Sequence, residues 1–151
     1  EKAESLVKEM KDEISHTAGQ ATLTGKHPRG LIIEFMGSDI SVYGEETLAG
    51  DILRRMNGEL LASGQQQISK EQIIEMDPDV IFVILIEGDY DHPKQKLDML
   101  YHEQALRDVC CIREKRVYPL PLYSVYSSGI RTLDGIRYIG KGLYPDLYKE
   151  Q

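Results

Sequence analysis

The sequence predicts an α/β fold, with a mainly parallel sheet of four to five strands and helices on both faces. Strand-like apolar runs alternate along the chain with amphipathic stretches, an order typical of parallel strands joined by right-handed crossovers. The run at residues 80–86 is continuously apolar and rich in β-branched side chains, as a central strand buried on both faces requires. One long amphipathic helix lies before the first predicted strand. This order predicts one Rossmann-like lobe.

The chain opens with this helix. Over residues 2–21 apolar positions recur at spacings of three and four, with lysines and glutamates between them, which places the apolar positions on one helical face. These positions are Ala3, Leu6, Val7, Met10, Ile14, Ala18 and Ala21. Gly25, Pro28 and Gly30 then break the pattern. Because no strand comes before the helix, we expect it to arrive from another lobe.

The first half of the sheet follows from short patterns. Residues 31–36, LIIEFM, predict a strand buried on both faces that ends at Gly37. In order, the further predictions are a polar loop at 38–44, a helix at 46–56 ended by Asn57-Gly58, a short strand at 59–62 and a loop at 65–67. Ser69 and Gln72 have the spacing of a capping box and predict a short helix to Met76.

The second half begins at Asp77-Pro78, which stops the short helix because proline cannot continue it. The predicted elements are the central strand at 80–86, a loop at 87–93, a helix at 96–107, a strand at 116–120 and a last helix at 130–142. Pro119 and Pro121 place the end of the last strand either at an edge of the sheet or beyond the ladder, because proline lacks a ladder donor.

Composition excludes several classes of protein. The chain of 151 residues has 41% hydrophobic and 28% charged residues, as an ordinary globular domain does. Its net charge of -7 argues against nucleic-acid binding. The adjacent Cys110 and Cys111 do not suit an ordinary disulfide framework. We interpret them as two small buried side chains near a helix end, and a redox pair is the alternative.

Motifs of catalysis and of cofactor binding are not found in the sequence. It contains neither a Gly-x-Ser-x-Gly elbow nor a phosphate-binding glycine loop. The acidic residues at 87–92, with His92, have neither zinc nor EF-hand spacing, so we interpret this segment as a solvated loop. We therefore expect a protein that is not an enzyme and that holds no cofactor.

Four segments together resemble the periplasmic-binding-protein family that carries metal chelates, in which two α/β lobes are joined by one long helix. They are ISKEQIIEMDPDVIFV at residues 68–83, RVYP at 116–119, SGIRTLDG at 128–135 and LYP at 143–145. The resemblance covers nearly the whole chain but only the second half of such a protein. It implies that residues 1–22 are the connecting helix, that residues 23–151 are the C-terminal lobe, and that the N-terminal lobe is absent from this chain.

The resemblance also implies a function. Such a protein is the substrate-binding component of an ABC importer outside the cytoplasmic membrane, in the periplasm or as a membrane-anchored lipoprotein. It closes its lobes over an iron-siderophore, haem or cobalamin-like chelate and delivers it to a membrane permease. One lobe alone is expected to bind weakly, and self-association of the lobe is left open. A flavodoxin-like or nucleotide-binding α/β enzyme domain is the alternative, because strand-helix alternation permits it too.

Candidate ligand residues follow the strands. Tyr123 and Tyr126 come after the last strand and Tyr43 after the first, and the carboxyl ends of parallel strands border the ligand crevice. We expect these rings either to stack on a planar chelate or to pack at the rim. Ser38 and Glu87, which begin the loops after two strands, complete this set.

Charged candidates come from the resemblance. Arg131 is expected to face the cleft and to contact an anionic siderophore or a propionate, and pairing with Asp134 is the alternative. Glu46, beside Glu45, matches the surface glutamate with which the family docks on permease arginines. The alternative for both glutamates is that they complement the dipole at the start of a helix.

Overall fold

The computed structural model describes residues 2–125 and 132–148, with side chains for residues 4–125 and 132–147. The helices in these residues are α1 (Lys2–Thr24), α2 (Leu48–Arg55), α3 (Lys70–Met76), α4 (Pro93–Tyr101), α5 (Cys110–Arg113), α6 (Thr132–Leu143) and α7 (Pro145–Tyr148). The strands are β1 (Arg29–Met36), β2 (Asp39–Val42), β3 (Glu59–Leu60), β4 (Gln67–Ile68), β5 (Val80–Leu85) and β6 (Val117–Pro121). Short 3₁₀ turns lie at Gln104–Leu106 and Leu122–Ser124.

The strands form one sheet in the order β4-β2-β1-β5-β6, and β3 pairs with the start of β1. The three central strands, β1, β5 and β6, are parallel, with Gly30 opposite Val80 and Ile81 opposite Val117. Helices cover both faces. The predicted α/β class, with a mainly parallel sheet between helical layers, is confirmed, although the sheet has more strands than the four to five expected.

The additional strands lie in segments that the sequence predicted to be loops. Residues 38–44 contain β2, which pairs antiparallel with β1 in a hairpin that turns at Gly37, where φ is +65°. Residues 65–67 lead into β4, which pairs with β2. Ile40 and Val42 are buried on alternate positions between exposed or half-exposed polar ones. This period-two signal was too short to separate β2 from a polar loop.

Two helix boundaries differ from the prediction. The helix expected to begin at 46 begins at Leu48, because Thr47 is its N-cap and accepts a hydrogen bond from the Gly50 amide at 3.0 Å. The helix expected at 96–107 begins at Pro93 and ends at Tyr101, and the chain then turns into a 3₁₀ segment. The predicted capping box of α3 is confirmed in both directions between Ser69 and Gln72.

The core has two halves, one on each face of the sheet. Ile32, Phe82 and Ile84 face the layer formed by α1, α2 and α6. Ile81 and Val83 face the layer of α3, α4 and α5. All six residues of β5 are buried, which explains why its sequence shows no alternation.

Helix α6 approaches the sheet so closely that two of its residues must be glycine. A Cβ atom at Gly142 would overlap the Phe82 ring. One at Gly135 would overlap the backbone of Ser124. The part of the segment SGIRTLDG that the structure describes, together with the end of α6, is therefore explained by packing.

Helix α1 lies across α6 and α2. Met10 and Ile14 contact the core, and Ala21 is fully buried in it. Arg137 of α6 forms ion pairs with Glu9 and Glu13 of α1, at 3.6 and 3.0 Å. The helix is therefore fixed to this lobe along much of its length, and its role as a connection to a second lobe stays a prediction.

The two cysteines occupy the first turn of α5. Cys111 is buried, and burial raises the pKa of its thiol to about 12. Cys110 is half-buried, its amide donates to Asp77 Oδ1 at 2.8 Å, and both thiols are free. The prediction of two buried side chains therefore holds for Cys111 and only partly for Cys110.

Strand β6 is an edge strand of the described sheet, as its prolines predicted. The Ile81 amide donates to the Arg116 carbonyl, so in this parallel ladder the amide of Val117 points away from β5. It donates instead to the Tyr101 hydroxyl at 3.3 Å. Pro119 and Pro121, at the next outward positions, have no amide hydrogen. This edge therefore offers no free donor at these three positions for another strand.

Candidate functional site

The amino ends of the parallel strands are tied together by hydrogen bonds. Asp79 Oδ2 accepts from the Arg29 amide at 2.9 Å. Arg116 Nη2 donates to the carbonyls of Gly142 and Leu143, at 2.9 and 3.2 Å, and so caps the end of α6. At this amino edge, the side chains of Asp79 and Arg116 therefore form hydrogen bonds with backbone groups of neighbouring elements.

Tyr144 forms a further hydrogen bond at the amino edge. Its side chain is fully buried, and its hydroxyl donates to the Met56 carbonyl at 2.6 Å, just after α2 ends. The segment LYP at 143–145 therefore has a structural role: it joins the ends of α6 and α2.

The carboxyl ends of the same strands expose apolar side chains. Four large ones are 38–53% exposed: Met36, Ile86, Tyr90 and Tyr123. The paired register of β1 and β5 ends at Ile33 and Val83, and Met36 and Ile86 each lie three residues farther along their own chain segments. The pairing of Leu85 with Pro121 places the start of the last loop beside the end of β5. We call these four residues the carboxyl-edge patch.

The two tyrosines of the patch support each other. Their rings contact edge to face, with centroids 5.5 Å apart and planes at 81°, a favourable arrangement for aromatic pairs. Burial raises the pKa of Tyr90, and the charges of Glu87 and Asp89 raise it further. Burial and a hydrogen bond with Tyr123 raise the pKa of Tyr138 on α6. Tyr123 is therefore fixed between the loop after β5 and the last helix.

Three predicted ligand residues lie at this edge. Tyr123 belongs to the patch, Ser38 is exposed in the turn between β1 and β2, and Glu87 is exposed directly after Ile86. Tyr126 and Arg131 lie outside the described residues, so their predicted roles stay predictions.

Sequence reasoning missed the other three patch residues, Met36, Ile86 and Tyr90. Met36 is the last residue of β1, and Ile86 is the first after β5. Both were assigned to buried runs because they continue an apolar stretch. Each lies at the carboxyl end of a parallel strand, and this position could have identified both residues as candidates for the ligand site.

Tyr43 lies elsewhere, and the expectation that it directly follows the first parallel strand is wrong. It follows β2, which runs antiparallel, so its amide donates to Ile32 in the middle of β1 at 2.9 Å. The ring is half-buried against the core, and the hydroxyl donates to Glu34 Oε1 at 2.6 Å. Burial and the Glu34 carboxylate raise the Tyr43 pKa well above its usual range.

The two candidate docking glutamates lie in the loop between β2 and α2. Glu45 forms an ion pair with Arg54 at 2.9 Å. Glu46 is exposed, and its carboxylate lies over Gly44, where a Cβ atom would be 2.6 Å away. Both precede the N-cap Thr47, so neither occupies the first turn of the helix where the dipole favours an acid most.

The loop at 87–92 is held by a hydrogen bond and an ion pair of Asp89. Asp89 Oδ2 accepts from the Ile86 amide at 3.0 Å and pairs with Lys96 at 3.4 Å. Across residues 2–125 and 132–148, no group of three or more histidine, cysteine or acidic side chains is placed to hold a metal ion. None of the helices described is both long and apolar enough to cross a bilayer.

Known proteins share both the sequence pattern and the fold. An uncharacterized ABC transporter substrate-binding lipoprotein, YvrC, of Bacillus subtilis strain 168 is 26% identical over 99% of this chain and 46% of its own length. A periplasmic binding protein of Veillonella parvula DSM 2008 superposes with a TM-score of 0.92, at 38% identity, over 98% of this chain and 46% of that protein. The petrobactin-binding protein YclQ of Bacillus subtilis has a TM-score of 0.72 at 21% identity, over 95% and 52%.

The chain thus spans about half the length of the relatives it matches. The expected extracytoplasmic location agrees with these relatives, which are a periplasmic binding protein and a substrate-binding lipoprotein. The family model described as periplasmic binding protein matches residues 1–123. The chain belongs to the periplasmic binding protein family.

Proposed function

We propose that this chain is the C-terminal lobe of the substrate-binding component of an ABC importer, with residues 1–22 as the helix that joins it to a first lobe. The coverage supports this division, because the relatives are about twice as long as the part that the chain matches. The family assignment also favours a binding protein over the flavodoxin-like or nucleotide-binding enzyme domain that the strand-helix order allowed.

The observation that carries the proposal is the carboxyl-edge patch. Exposed apolar side chains are common on protein surfaces when scattered, but several large ones at one edge of a sheet, beside polar loops, favour a binding surface. Ligands of open α/β sheets bind outside the carboxyl ends of the strands. The patch lies there, whereas at the amino edge of the same strands Asp79 and Arg116 form hydrogen bonds with the Arg29 amide and with the end of α6.

The size of the patch explains why two lobes are needed. Covering the exposed parts of the four side chains contributes about 3–4 kcal/mol. A binding free energy of that size corresponds to a Kd of about 1 mM, before the costs of association are subtracted. A second surface that closes over the same ligand by hinge motion would supply the rest.

The ligand that we propose is a metal chelate of the iron-siderophore, haem or cobalamin-like kind. An extended chelate offers flat or apolar surface to Tyr123 and Ile86, while Ser38 supplies a hydroxyl and Glu87 a carboxylate at the rim. Tyr126 and Arg131 are proposed to complete this side of the cleft. The petrobactin-binding protein provides a precedent for such cargo within the same fold.

The test is chelate binding to the full-length protein, followed by tyrosine fluorescence quenching or equilibrium dialysis. The panel is a ferric trihydroxamate, a ferric tris-catecholate, haem and cyanocobalamin. Ile86→Ser should weaken binding of the cargo about tenfold, because one apolar contact is replaced by a hydroxyl. Ile74→Ser is the matched control, since Ile74 on α3 is similarly exposed, at 44% against 39% for Ile86. If no chelate in the panel binds, the proposed cargo is wrong.

Delivery to a permease is proposed to use Glu46, with Glu45 beside it. The exposed Glu46 carboxylate makes no ion pair among the described side chains, whereas Glu45 is partly engaged by Arg54. Glu46→Ala in the full-length protein should leave chelate binding unchanged and lower uptake in cells, because exposed charges of this kind set docking and orientation. Glu75→Ala, an exposed glutamate on α3, is the control. Equal uptake by both variants would refute the docking role.

A further inference from the structure

The loops around the carboxyl-edge patch carry an excess of negative charge. Asp39, Glu87 and Asp91 are exposed, the first at the start of β2 and the other two in the loop after β5. Within the described residues none of the three forms an ion pair, whereas Asp89 is neutralised by Lys96 at 3.4 Å. Glu87 lies close enough to the aromatic pair for its charge to raise the pKa of Tyr90.

Three described cations near this edge do not neutralise Asp39, Glu87 or Asp91. Arg137 pairs with α1, Lys96 pairs with Asp89, and Lys94 lines a separate groove between α4 and β6. Arg131, which the resemblance assigns to this side of the cleft, would add one positive charge. Even with that charge included, the carboxylates of Asp39, Glu87 and Asp91 leave the edge negative.

We infer that this lobe selects a chelate whose face toward the patch is apolar and neutral or positively charged, and that it discriminates against highly anionic chelates. The inference rests on the proposed function. A tris-catecholate complex of Fe³⁺ carries three negative charges, and it would meet like charges beside a surface that offers mainly apolar contact. A corrinoid or a ferric trihydroxamate is neutral or cationic, and it would cover the same apolar side chains without that repulsion.

The carboxylates have a second consequence for a cationic cargo. Exposed charges around a cleft steer ligands of opposite sign and act over about 8–10 Å at physiological salt. A cationic ferric trihydroxamate should therefore bind more weakly as salt rises, and a neutral corrinoid should not. The salt dependence separates charge selection from apolar contact.

The experiment measures Kd by isothermal titration for the full-length protein with three probes: cyanocobalamin, a cationic ferric trihydroxamate and a ferric tris-catecholate. The wild type is compared with the double variant Asp39→Asn, Asp91→Asn, which keeps side-chain size and removes two charges. Glu71→Gln, Glu75→Gln on α3 is the matched control for overall charge, because both residues are exposed on another face.

The inference predicts that the wild type binds a neutral or cationic probe more tightly than the tris-catecholate. The double variant Asp39→Asn, Asp91→Asn should gain about threefold to tenfold in affinity for the tris-catecholate at low salt, lose a similar factor for the cationic probe, and change little for cyanocobalamin. Tightest binding of the tris-catecholate, with no effect of the double variant, would overturn the inference and leave the proposed function intact. Absence of binding by all three probes would overturn the inference, and absence of haem binding as well would overturn the proposed cargo.

Discussion

The two ends of the parallel strands β1, β5 and β6 differ in whether their polar groups are hydrogen-bonded and whether their apolar side chains are exposed. At the amino edge, polar groups of residues far apart in sequence form hydrogen bonds with one another, as Arg116 Nη2 does with the end of α6. At the carboxyl edge, apolar side chains are left partly in water and acidic side chains lack partners among the described residues. The difference indicates that one edge stabilises the lobe and the other is available to a ligand.

The comparison predicts that substitutions at the amino edge and under α6 lower stability, whereas those at the carboxyl edge change binding and leave stability nearly constant. All stability measurements below are urea unfolding followed by circular dichroism, with a shift of midpoint at constant slope as the criterion.

The largest expected effect is that of Gly142→Ala. The new methyl group would overlap the Phe82 ring in the core, and such overpacking costs about 1–3 kcal/mol or more. Gly19→Ala is the control, because a Cβ atom there meets nothing within 4 Å in the middle of α1. That change should stabilise the chain by about 0.5–1 kcal/mol, since glycine is a poor helix former. Equal effects of the two variants would show that α6 does not pack on the sheet as described.

Arg116→Met should have the next largest effect. The substitution keeps an apolar stem and removes the donor to the Gly142 and Leu143 carbonyls, at a cost of about 2 kcal/mol. Arg113→Met, at an exposed arginine of α5, should cost about 0.5 kcal/mol or less. A small effect of Arg116→Met would mean that the cap on α6 contributes little to the amino edge.

Tyr144→Phe should cost about 1 kcal/mol. The ring keeps its place in the core, but the Met56 carbonyl loses its buried donor. Tyr90, which is 39% exposed, provides the comparison: Tyr90→Phe should change the midpoint by much less, because the residue lies at the surface. A cost for Tyr90→Phe as large as that for Tyr144→Phe would contradict the proposed difference between the edges.

Met36→Ser should have the smallest effect on stability, about 0.5 kcal/mol or less, because the side chain is 53% exposed at the end of β1. The same variant should weaken binding of the chelate that the full-length protein selects. A large loss of stability with unchanged binding would reverse the roles assigned to the two edges.

Much of the fold could be predicted from the sequence because it depends on local patterns. The continuous run at β5, the capping box at Ser69 and the prolines of β6 each carry their own signal. Strand β2 was missed because Ile40 and Val42 alternate with polar residues over only four positions. Because β2 was missed, the position predicted for Tyr43 was also wrong. Strand β2 runs antiparallel to β1, so Tyr43, which follows β2, lies beside the middle of β1 and not at its carboxyl end.

The site could be predicted less completely, for two physical reasons. Contacts such as the bond between Tyr144 and Met56 join residues 88 positions apart, and no local pattern encodes such pairs. Exposure at a strand end depends on what covers it, so Ile86 was indistinguishable in sequence from the buried residues before it. Tyr123, Ser38 and Glu87 were found because each begins or lies in a loop after a strand.

The most direct test of the account is a map of backbone amide chemical shifts in the full-length protein as the chelate that it binds is added. We predict that the changes within this lobe concentrate at the carboxyl edge, in residues 36–39, 86–91 and 122–124, and that amides at the amino edge, such as those of Arg29 and Val117, stay in place. Shifts centred on the amino edge, with the carboxyl edge unchanged, would contradict the assignment of the ligand-binding face.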